Sequence, residues 1–597
     1  MTDSSPPFPH CSKFFVGRND VLRTDWYVKK SHKQLPILST AVVDMMSALA
    51  RLSLLLGISS AFSPARNVGP NGRTGVRSPH ARIEHPSPAL SVVAPTAPAA
   101  ASSLSDGDET RADGSERLRR PRVCVVGGGF GGLNAALSLA DLPWSDADGV
   151  DGVDVVLVDR KERFVFLPLL YDLCVDAASL EEVAPTYRSL LSESSGDGGS
   201  GRVDFLQREV TGIDVENRVV HATTVASSGE EVRDTIEYDA LIVATGSTLD
   251  LDVVPGASEH ALPFYTVDQC VELRRRFAVL DSRGEGETVE VVVVGGGYGG
   301  VELALNALER LGGRDKCRVT LVHRGAAVLG YATEHNRKTG TERLETAGVR
   351  VMTDTSVADV SAITSTPGGG ADLNASTVDS PDGGKNWRAC SVRVVDKDSV
   401  ESSLRADLFL WTAGATSSNL PRGILNSILP RDSKGRIVTG DLLRAKGYDD
   451  VFVLGDCSRA RKVPHVATAQ VAMQQAPVAA WNVYATLANR ASKVLTKSGV
   501  EGVGEGGLKK LLPFRYVDLG EMMTLGNNDA TVSSLGGLVE LSGPAASAIR
   551  RLIYAVRMPT ASQRLTAVLE NTGRGLQSTS SSSKKERKRV GKPIKWK

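Results

Sequence analysis

Cysteine is scarce in this chain and never paired in sequence. Seven cysteines are scattered through 597 residues, at Cys11, Cys124, Cys174, Cys270, Cys317, Cys390 and Cys457, with no C-x-x-C and no zinc-type cluster. This excludes a disulfide scaffold, a structural metal and a dithiol redox centre. Aromatics are few, at 5%. No run is long and apolar enough to span a bilayer. Charge of either sign is not in excess either: 70 basic residues stand against 69 acidic ones, a net charge of +1. The bulk signature of a nucleic-acid binder is therefore missing. What the chain does have is length, enough for two or more domains around a sizeable core.

Residues 52–58 form a short apolar stretch behind Arg51 and Met45-Met46, followed by Ser59-Ser60-Ala61 and Phe62. A basic start, a short apolar run and small residues build a secretory signal peptide, the alternative being an ordinary buried helix. From Ala61 to about Pro121 the chain is rich in Ser, Ala, Pro and Arg, and its first part is poor in acids, as in a transit peptide. The order resembles the bipartite plastid address of algae with secondary plastids. The resemblance implies a plastid protein in which residues 1–120 are targeting region and linker, outside the fold.

From Arg122 the texture changes. Val123-Cys124-Val125-Val126 is a short apolar run suited to a buried parallel strand, and six more lie at 155–158, 241–244, 291–294, 319–322, 408–410 and 451–454. Helical patterns fall between several of them, at 133–142 and 301–311. Strands alternating with helices predict an α/β fold with parallel sheets covered on both faces. The expected division is 121–285 and 406–490 for a first Rossmann-like domain, 286–405 for a second, 511–575 for a C-terminal segment and 576–597 for a basic tail. Residues 192–201, 366–386 and 491–507 are Gly/Ser/Asp-rich and read as surface insertions.

Two glycine fingerprints carry the chemistry. Val126-Gly127-Gly128-Gly129-Phe130-Gly131-Gly132 follows the first strand and opens a helix. Gly127 makes the tight turn, Gly129 admits a pyrophosphate and Gly132 lets helix and strand pack closely. The phosphates then lie on a helix N-terminus, where free N–H groups and the dipole favour negative charge. Asp159 ends the next strand, placed to accept from ribose hydroxyls. The second copy is Val294-Gly295-Gly296-Gly297-Tyr298-Gly299-Gly300-Val301-Glu302, with Gly295, Gly297 and Gly300 in the same roles. Its second strand ends in Val322-His323-Arg324, without the ribose acid. An acid repels a 2′-phosphate whereas Arg324 can bind one, so NADPH is expected to be accepted; the alternative is a solvated Arg324 and use of NADH. Two fingerprints imply two dinucleotides, which suits a flavoenzyme receiving hydride on bound FAD from NAD(P)H.

Further motifs sharpen this. Ala244-Thr245-Gly246 and Trp411-Thr412-Ala413-Gly414 look like the A-T-G motif of the two-dinucleotide-binding-domain flavoproteins and its later partner. Leu454-Gly455-Asp456 looks like their G-D motif, whose Asp binds the flavin ribityl chain. The run Thr468-Ala469-Gln470-Val471-Ala472-Met473-Gln474-Gln475 resembles type II NAD(P)H:quinone oxidoreductases in particular, as does Phe166-Leu167-Pro168-Leu169-Leu170-Tyr171. Within that class, Arg163-Phe164-Val165-Phe166 and Leu519-Gly520-Glu521-Met522-Met523-Thr524-Leu525-Gly526 are most similar to the plastid branch of plants and cyanobacteria.

The resemblance implies hydride transfer from NAD(P)H to FAD and electrons onward to a membrane quinone, plastoquinone or a phylloquinone precursor. It implies Thr245, Gly246, Asp456, Ala469 and Gln470 at the flavin. It also implies Glu302, Gln470 and Gln474 at the reacting centre, with Glu302 facing the nicotinamide end. Alternatives stay open for several of these. Asp456 can be a helix cap, the glutamines solvated and Glu302 a first-turn complement to the helix dipole. His465 reads as a loop residue without a role. Around residues 544–559, Ile549, Leu552, Ile553 and Val556 share a face, with Arg550, Arg551 and Arg557 elsewhere. This suits a helix lying on a membrane surface, thylakoid or plastoglobule, or else one packed on the flavin domain or in a homodimer contact. The rival chemistries are a sulfide:quinone oxidoreductase using Cys174 and Cys457, and a non-catalytic flavin-binding redox sensor. No metal and no nucleic acid enter the expectation.

Overall fold

The computed structural model describes residues 119–568 apart from 145–149, 151, 193–200, 227, 283–286, 364–386, 418–428 and 498–506. By contacts the chain divides into residues 1–97 and 98–597, and every described residue belongs to the second unit. The targeting region up to 118, the insertion at 366–386, the interior of that at 192–201 and the tail at 576–597 lie outside the described residues.

All seven apolar runs fall in the strands of two five-stranded parallel sheets, or reach one residue beyond them. The first sheet orders Val451–Val453, Ala240–Val243, Arg122–Val126, Val153–Asp159 and Gly201–Gln207. The second orders Arg350–Met352, Cys317–Val322, Val289–Val294, Leu408–Trp411 and Leu262–Pro263. Such strands read as unbroken Val/Leu/Ile runs because both faces are covered, one by helices and the other by an antiparallel three-stranded excursion, which leaves no side for polar residues. In each sheet the fingerprint strand is central. Val126 pairs with Val158 on one side and Val243 on the other, as Val294 pairs with Val322 and Trp411. Each half also carries an antiparallel three-stranded excursion before its last central strand, at Glu209–Glu237 and Thr355–Ala406.

Two expectations are corrected. The boundary at 405/406 is too early, because Leu408–Trp411 pairs with Val291–Val294 and so belongs to the second sheet. Residues 491–497 are not loop. They finish the long helix Ala469–Lys497, which packs Ala476, Ala479, Ala480 and Val483 into the core and keeps Ala491 against it.

The C-terminal segment buries a basic residue against the fold: the buried residues of helix Gly543–Val556 are Ala546, Ser547, Arg550, Tyr554 and Ala555. Arg550, with its side chain 1% exposed, forks onto Asp172 with Nη2–Oδ2 at 2.6 Å and Nη1–Oδ1 at 3.4 Å. It also donates to the Pro168 carbonyl at 3.2 Å, and Arg551 reaches Asp172 at 3.1 Å. Ile549, Leu552 and Ile553 are only partly buried and Val556 is 53% exposed.

An extended strap leads to that segment along the Ala469–Lys497 helix. Three amide side chains spaced about two turns apart each accept from and donate to one strap residue: Asn489 to Lys509, Asn482 to Leu512 and Gln474 to Val517. Each pair satisfies backbone that would otherwise lack a partner on a strand-free edge.

Removing one partner of a buried ion pair strands the other, at about 3–5 kcal/mol. Arg550→Leu or Asp172→Asn is therefore expected to lower the melting temperature by several degrees. A surface charge change such as Arg233→Leu serves as the unaffected control in the same thermal melts.

Candidate active site

The two glycine turns are built alike. Gly127 N–H donates to Val158 O at 2.8 Å and Gly295 N–H to Val322 O at 3.0 Å, tying each turn to the neighbouring strand. Gly127 and Gly295 have φ of +97° and +117°, a region that L residues avoid. A Cβ on Gly132 would overlap the Gly127 carbonyl, and one on Gly300 the Gly295 carbonyl, so helix and strand touch backbone to backbone. At Gly129 and Gly297, the helix N-caps, a Cβ would meet nothing within 4 Å. Neither helix has an acid in its first turn. Open space in front of unpaired helix N–H groups is what a pyrophosphate requires. The residues thus fit one dinucleotide in each half.

In the first half Asp159 accepts from Gly128 N–H at 2.7 Å and Lys161 N–H at 2.8 Å, which orients its carboxylate beside the turn. Gly246 (φ +70°) again faces open space, next to Thr245 at the end of Ala240–Val243. Asp456 lies in a short turn, Gly455–Cys457, and does not cap it. Its Oδ2 accepts from Ser247 Oγ at 2.8 Å, and Ser247 also meets Tyr265 OH at 3.1 Å. Burial pushes the Asp456 carboxyl above its ordinary range.

Ala469 and Gln470 open the long helix, and Gln470 Nε2 is buried without a protein partner. Gln475, buried, accepts from Gly455 N–H at 2.7 Å and so fixes the G-D turn. Gly455, Asp456, Val471, Gln475, Arg436 and His465 line one cleft. Here the residues match a flavin's needs: a phosphate cradle, a ribose acid, a ribityl-side carboxylate and an amide donor with nothing to bind.

Other expected residues stand elsewhere. Gln474 is occupied by Val517 and does not reach into this cleft. Glu302 lies in the second turn of its helix, buried, and Oε1 accepts from Thr524 N–H at 2.9 Å. It is thus no complement to the helix dipole, and its side chain is turned to the C-terminal strand Glu521–Thr524. Burial raises its pKa to about 8 against the pull of Arg550 and the Thr524 N–H, with Asp172 pushing the same way as burial. Tyr298 OH donates to Glu521 at 2.5 Å and Asn527 N–H to Glu309 at 2.7 Å, so this one helix face carries the C-terminal strand from end to end. Arg324 is exposed and makes no ion pair with another described residue.

Sequence reasoning did not single out Ser247, named Gln475 and Arg550 without these contacts, and gave His465 no role. The His465 ring stands 5.1 Å from Phe514 and 6.0 Å from Tyr516 at the cleft, and burial lowers its pKa. The thiols of Cys174 and Cys457 are unpaired and donate to carbonyls of Tyr171 and Leu454. Burial drives both pKa values up, away from the thiolate that attack on sulfide chemistry needs.

Two Rossmann-type cradles of this kind in one chain define a two-dinucleotide-binding-domain oxidoreductase. The family model described as "Pyridine nucleotide-disulphide oxidoreductase" matches residues 121–476. Demethylphylloquinone reductase NdbB of Synechocystis sp. is 34% identical over 455 residues, 75% of this chain and 95% of that one. The alternative NAD(P)H-ubiquinone oxidoreductase C1, chloroplastic/mitochondrial, of Arabidopsis thaliana is 34% identical over 462 residues, covering 75% and 79%. The structure of NDH2 from Plasmodium falciparum in complex with NADH superposes with a TM-score of 0.58 at 16% identity, over 76% of this chain and 98% of its own, a likeness of fold. The chain belongs to the pyridine nucleotide-disulphide oxidoreductase family and, within it, to the type II NAD(P)H:quinone oxidoreductases.

A Cβ on Gly295 would stand 2.5 Å from Thr412 Oγ1 on a backbone that L residues avoid. Gly295→Val is expected to abolish bleaching of the flavin band by NADPH or NADH while the purified protein stays yellow. Loss of FAD instead would mean that the second turn, not the first, holds the flavin.

Proposed function

We propose that this protein is an FAD-dependent, non-proton-pumping oxidoreductase that takes hydride from NAD(P)H and reduces a membrane quinone, plastoquinone or a phylloquinone precursor. The observation that carries it is the pair of open glycine cradles in one chain, one of them beside the Asp456–Gln475 cleft. Bound FAD supplies the two-electron chemistry, accepting hydride from the nicotinamide and delivering electrons to the quinone.

The chain's own part is positioning and proton supply. Gly127, Gly129 and Gly132 seat the flavin pyrophosphate, Asp159 its ribose and Asp456 its ribityl chain, with Ala469, Gln470, Thr245 and Gly246 around the ring. Gly295, Gly297 and Gly300 seat the nicotinamide dinucleotide. Glu302 holds a proton at neutral pH because its carboxyl is buried. That proton is released toward the reduced quinone, and Asp172, Arg550 and Arg551 fix the charge around it. Asp172 is paired with Arg550 and Arg551, and Arg550 also favours the ionised form of Glu302 once its proton has left.

The purified full chain is expected to lose its flavin absorbance with NADPH or NADH and recover it with a short-chain quinone. Failure of both nucleotides to bleach the flavin ends this reading; sulfide-driven bleaching would favour the sulfide:quinone alternative. Below about pH 8 the Glu302 proton is present, and above it is lost. Reoxidation by quinone should therefore slow as pH rises through about 8. Glu302→Gln should flatten that profile and lower the neutral-pH rate by about a hundredfold.

The site is plastidial and peripheral on an internal membrane in this reading. Two things support it: the leading 120 residues, and the outward Ile549, Leu552, Ile553 and Val556 of a helix whose other face is pinned by Arg550. Among the described residues no helix is long and apolar enough to cross a membrane. Co-sedimentation with vesicles containing phosphatidylglycerol is expected for the full chain and should be lost in Leu552→Glu/Val556→Glu. If that variant instead converts a dimer to a monomer in light scattering, the face is a homodimer contact.

A further inference from the structure

Arg550, Tyr554 and Arg557 follow one another at i, i+4 and i+7 along the C-terminal helix and its cap, and so share a face. That face lies against the flavin half. The Tyr554 ring stands 5.4 Å from Phe166, and Phe166 stands 5.3 Å from Phe130, the first helical residue after the Gly127–Gly129 turn. The two arginines are placed differently. Arg550 is buried on Asp172. Arg557 is partly buried, and its guanidinium makes no ion pair or hydrogen bond with another described residue. Only its backbone N–H closes the helix, on Ile553 O at 3.1 Å and Tyr554 O at 3.0 Å. Burial lowers the Arg557 pKa, and the groups that act against burial are two phenols, Tyr554 and Tyr516, with no carboxylate among them.

We propose that Arg557 binds the quinone, its guanidinium holding the ring oxygen that becomes anionic as the quinone is reduced. This rests on the quinone reading and adds a residue to it. A cation drawn out of water without a counter-ion destabilises the fold, and an arriving anion offsets that cost. The surroundings suit such an anion. Tyr516, which Arg557 acts on, stands 6.0 Å ring to ring from His465, and His465 lines the Asp456–Gln475 cleft. On the other side is Tyr554, with the Arg550 guanidinium 5.1 Å from its ring. Burial raises the Tyr554 pKa, Arg550 and Arg557 lower it and Glu302 raises it, so these charged groups bear on one phenol. Arg557 is thus joined through Tyr516 to the flavin-side cleft and through Tyr554 to the Glu302 group.

Quinone reduction takes two electrons and two hydrogens. Hydride from the reduced flavin brings both electrons and one hydrogen and leaves a hydroquinone monoanion; the Glu302 proton then completes the quinol. Arg550 cannot hold that monoanion, because Asp172 matches its charge and it favours the carboxylate that Glu302 becomes. Arg551 is bound to Asp172 as well. Among the described residues of this helix and its cap, that leaves Arg557. A cation fixed in place before the charge forms, and partly shielded from water, is what stabilises a developing oxyanion.

The test uses the full-length FAD-loaded protein, reduced with NADPH and then mixed with decylplastoquinone in a stopped-flow spectrometer. Arg557→Met is expected to be bleached by NADPH as fast as wild type and reoxidised about a hundredfold more slowly. Its melting temperature should equal or exceed that of wild type, because no ion pair is lost and a desolvated charge is removed, the opposite of Arg550→Leu. Arg557→Lys keeps the charge without the planar fork and should recover most of the rate. A second readout is binding alone, followed by quenching of flavin fluorescence in the oxidised protein. Wild type should bind the anion of 2-hydroxy-1,4-naphthoquinone at least about tenfold more tightly than neutral 1,4-naphthoquinone, and Arg557→Met should erase the difference. An Arg557→Met protein reoxidised as fast as wild type, or one that melts early as Arg550→Leu does, overturns the proposal. So does a wild type indifferent to the charge on the naphthoquinone. A wild type that NADPH bleaches but no quinone reoxidises ends the quinone reading itself, and this inference with it.

Discussion

Everything in this molecule depends on two places where a helix touches a strand with no side chain between them. The Gly132 and Gly300 α-carbons lie against the carbonyls of Gly127 and Gly295. That contact brings the helix N-terminus down onto the sheet edge and aims its unpaired N–H groups at the space before Gly129 and Gly297. Binding strength for a pyrophosphate is thus a property of backbone geometry, set before any side chain contributes. The side chains then differ between the cradles: Asp159 accepts from Gly128 N–H in one and His323 from Gly296 N–H in the other.

The C-terminal segment joins the main core through Met523, Leu525, Tyr554 and Met558, and polar groups fix its position there. Tyr298, Glu302 and Glu309 on one helix face each bind the strand or turn that crosses them, and Arg550 and Arg551 fork onto Asp172. A buried ion pair adds little net stability over an apolar contact of the same shape, but it tolerates few other arrangements. Such an interface fixes register. It places Thr524 over Glu302 and no other residue, and so determines how dry that carboxyl is.

Much of the architecture was legible because parallel strands announce themselves. Val123–Val126 and Val291–Val294 are apolar without a break, and the glycine turns follow at once. The antiparallel excursions were not legible. Glu231–Glu237 buries only Ile236 and exposes Glu231, Arg233 and Glu237, so no unbroken apolar run marks it. Arg550 was misread for a related reason. Helical periodicity sorts residues by polarity, and an arginine whose partner is 378 residues away counts as solvent-facing until that partner is seen. Gln474 and Gln475, adjacent and chemically identical, serve the strap and the flavin-side turn respectively. No pattern in the sequence distinguishes them, because the difference lies in what the neighbouring chain segment needs.

The helix Tyr298–Arg310 joins these themes. Its N-terminus is the second phosphate cradle, and its flank is the seat of the C-terminal strand. The cradle and the seat of the C-terminal strand therefore share one rigid body about 20 Å long. Glu302 sits one turn from the phosphate loop on that body, with its carboxyl closed off by Thr524. The dryness of the Glu302 carboxyl thus depends on the C-terminal strand that covers it, and Tyr298, bonded to Glu521, ties that same strand to the cradle end of the helix.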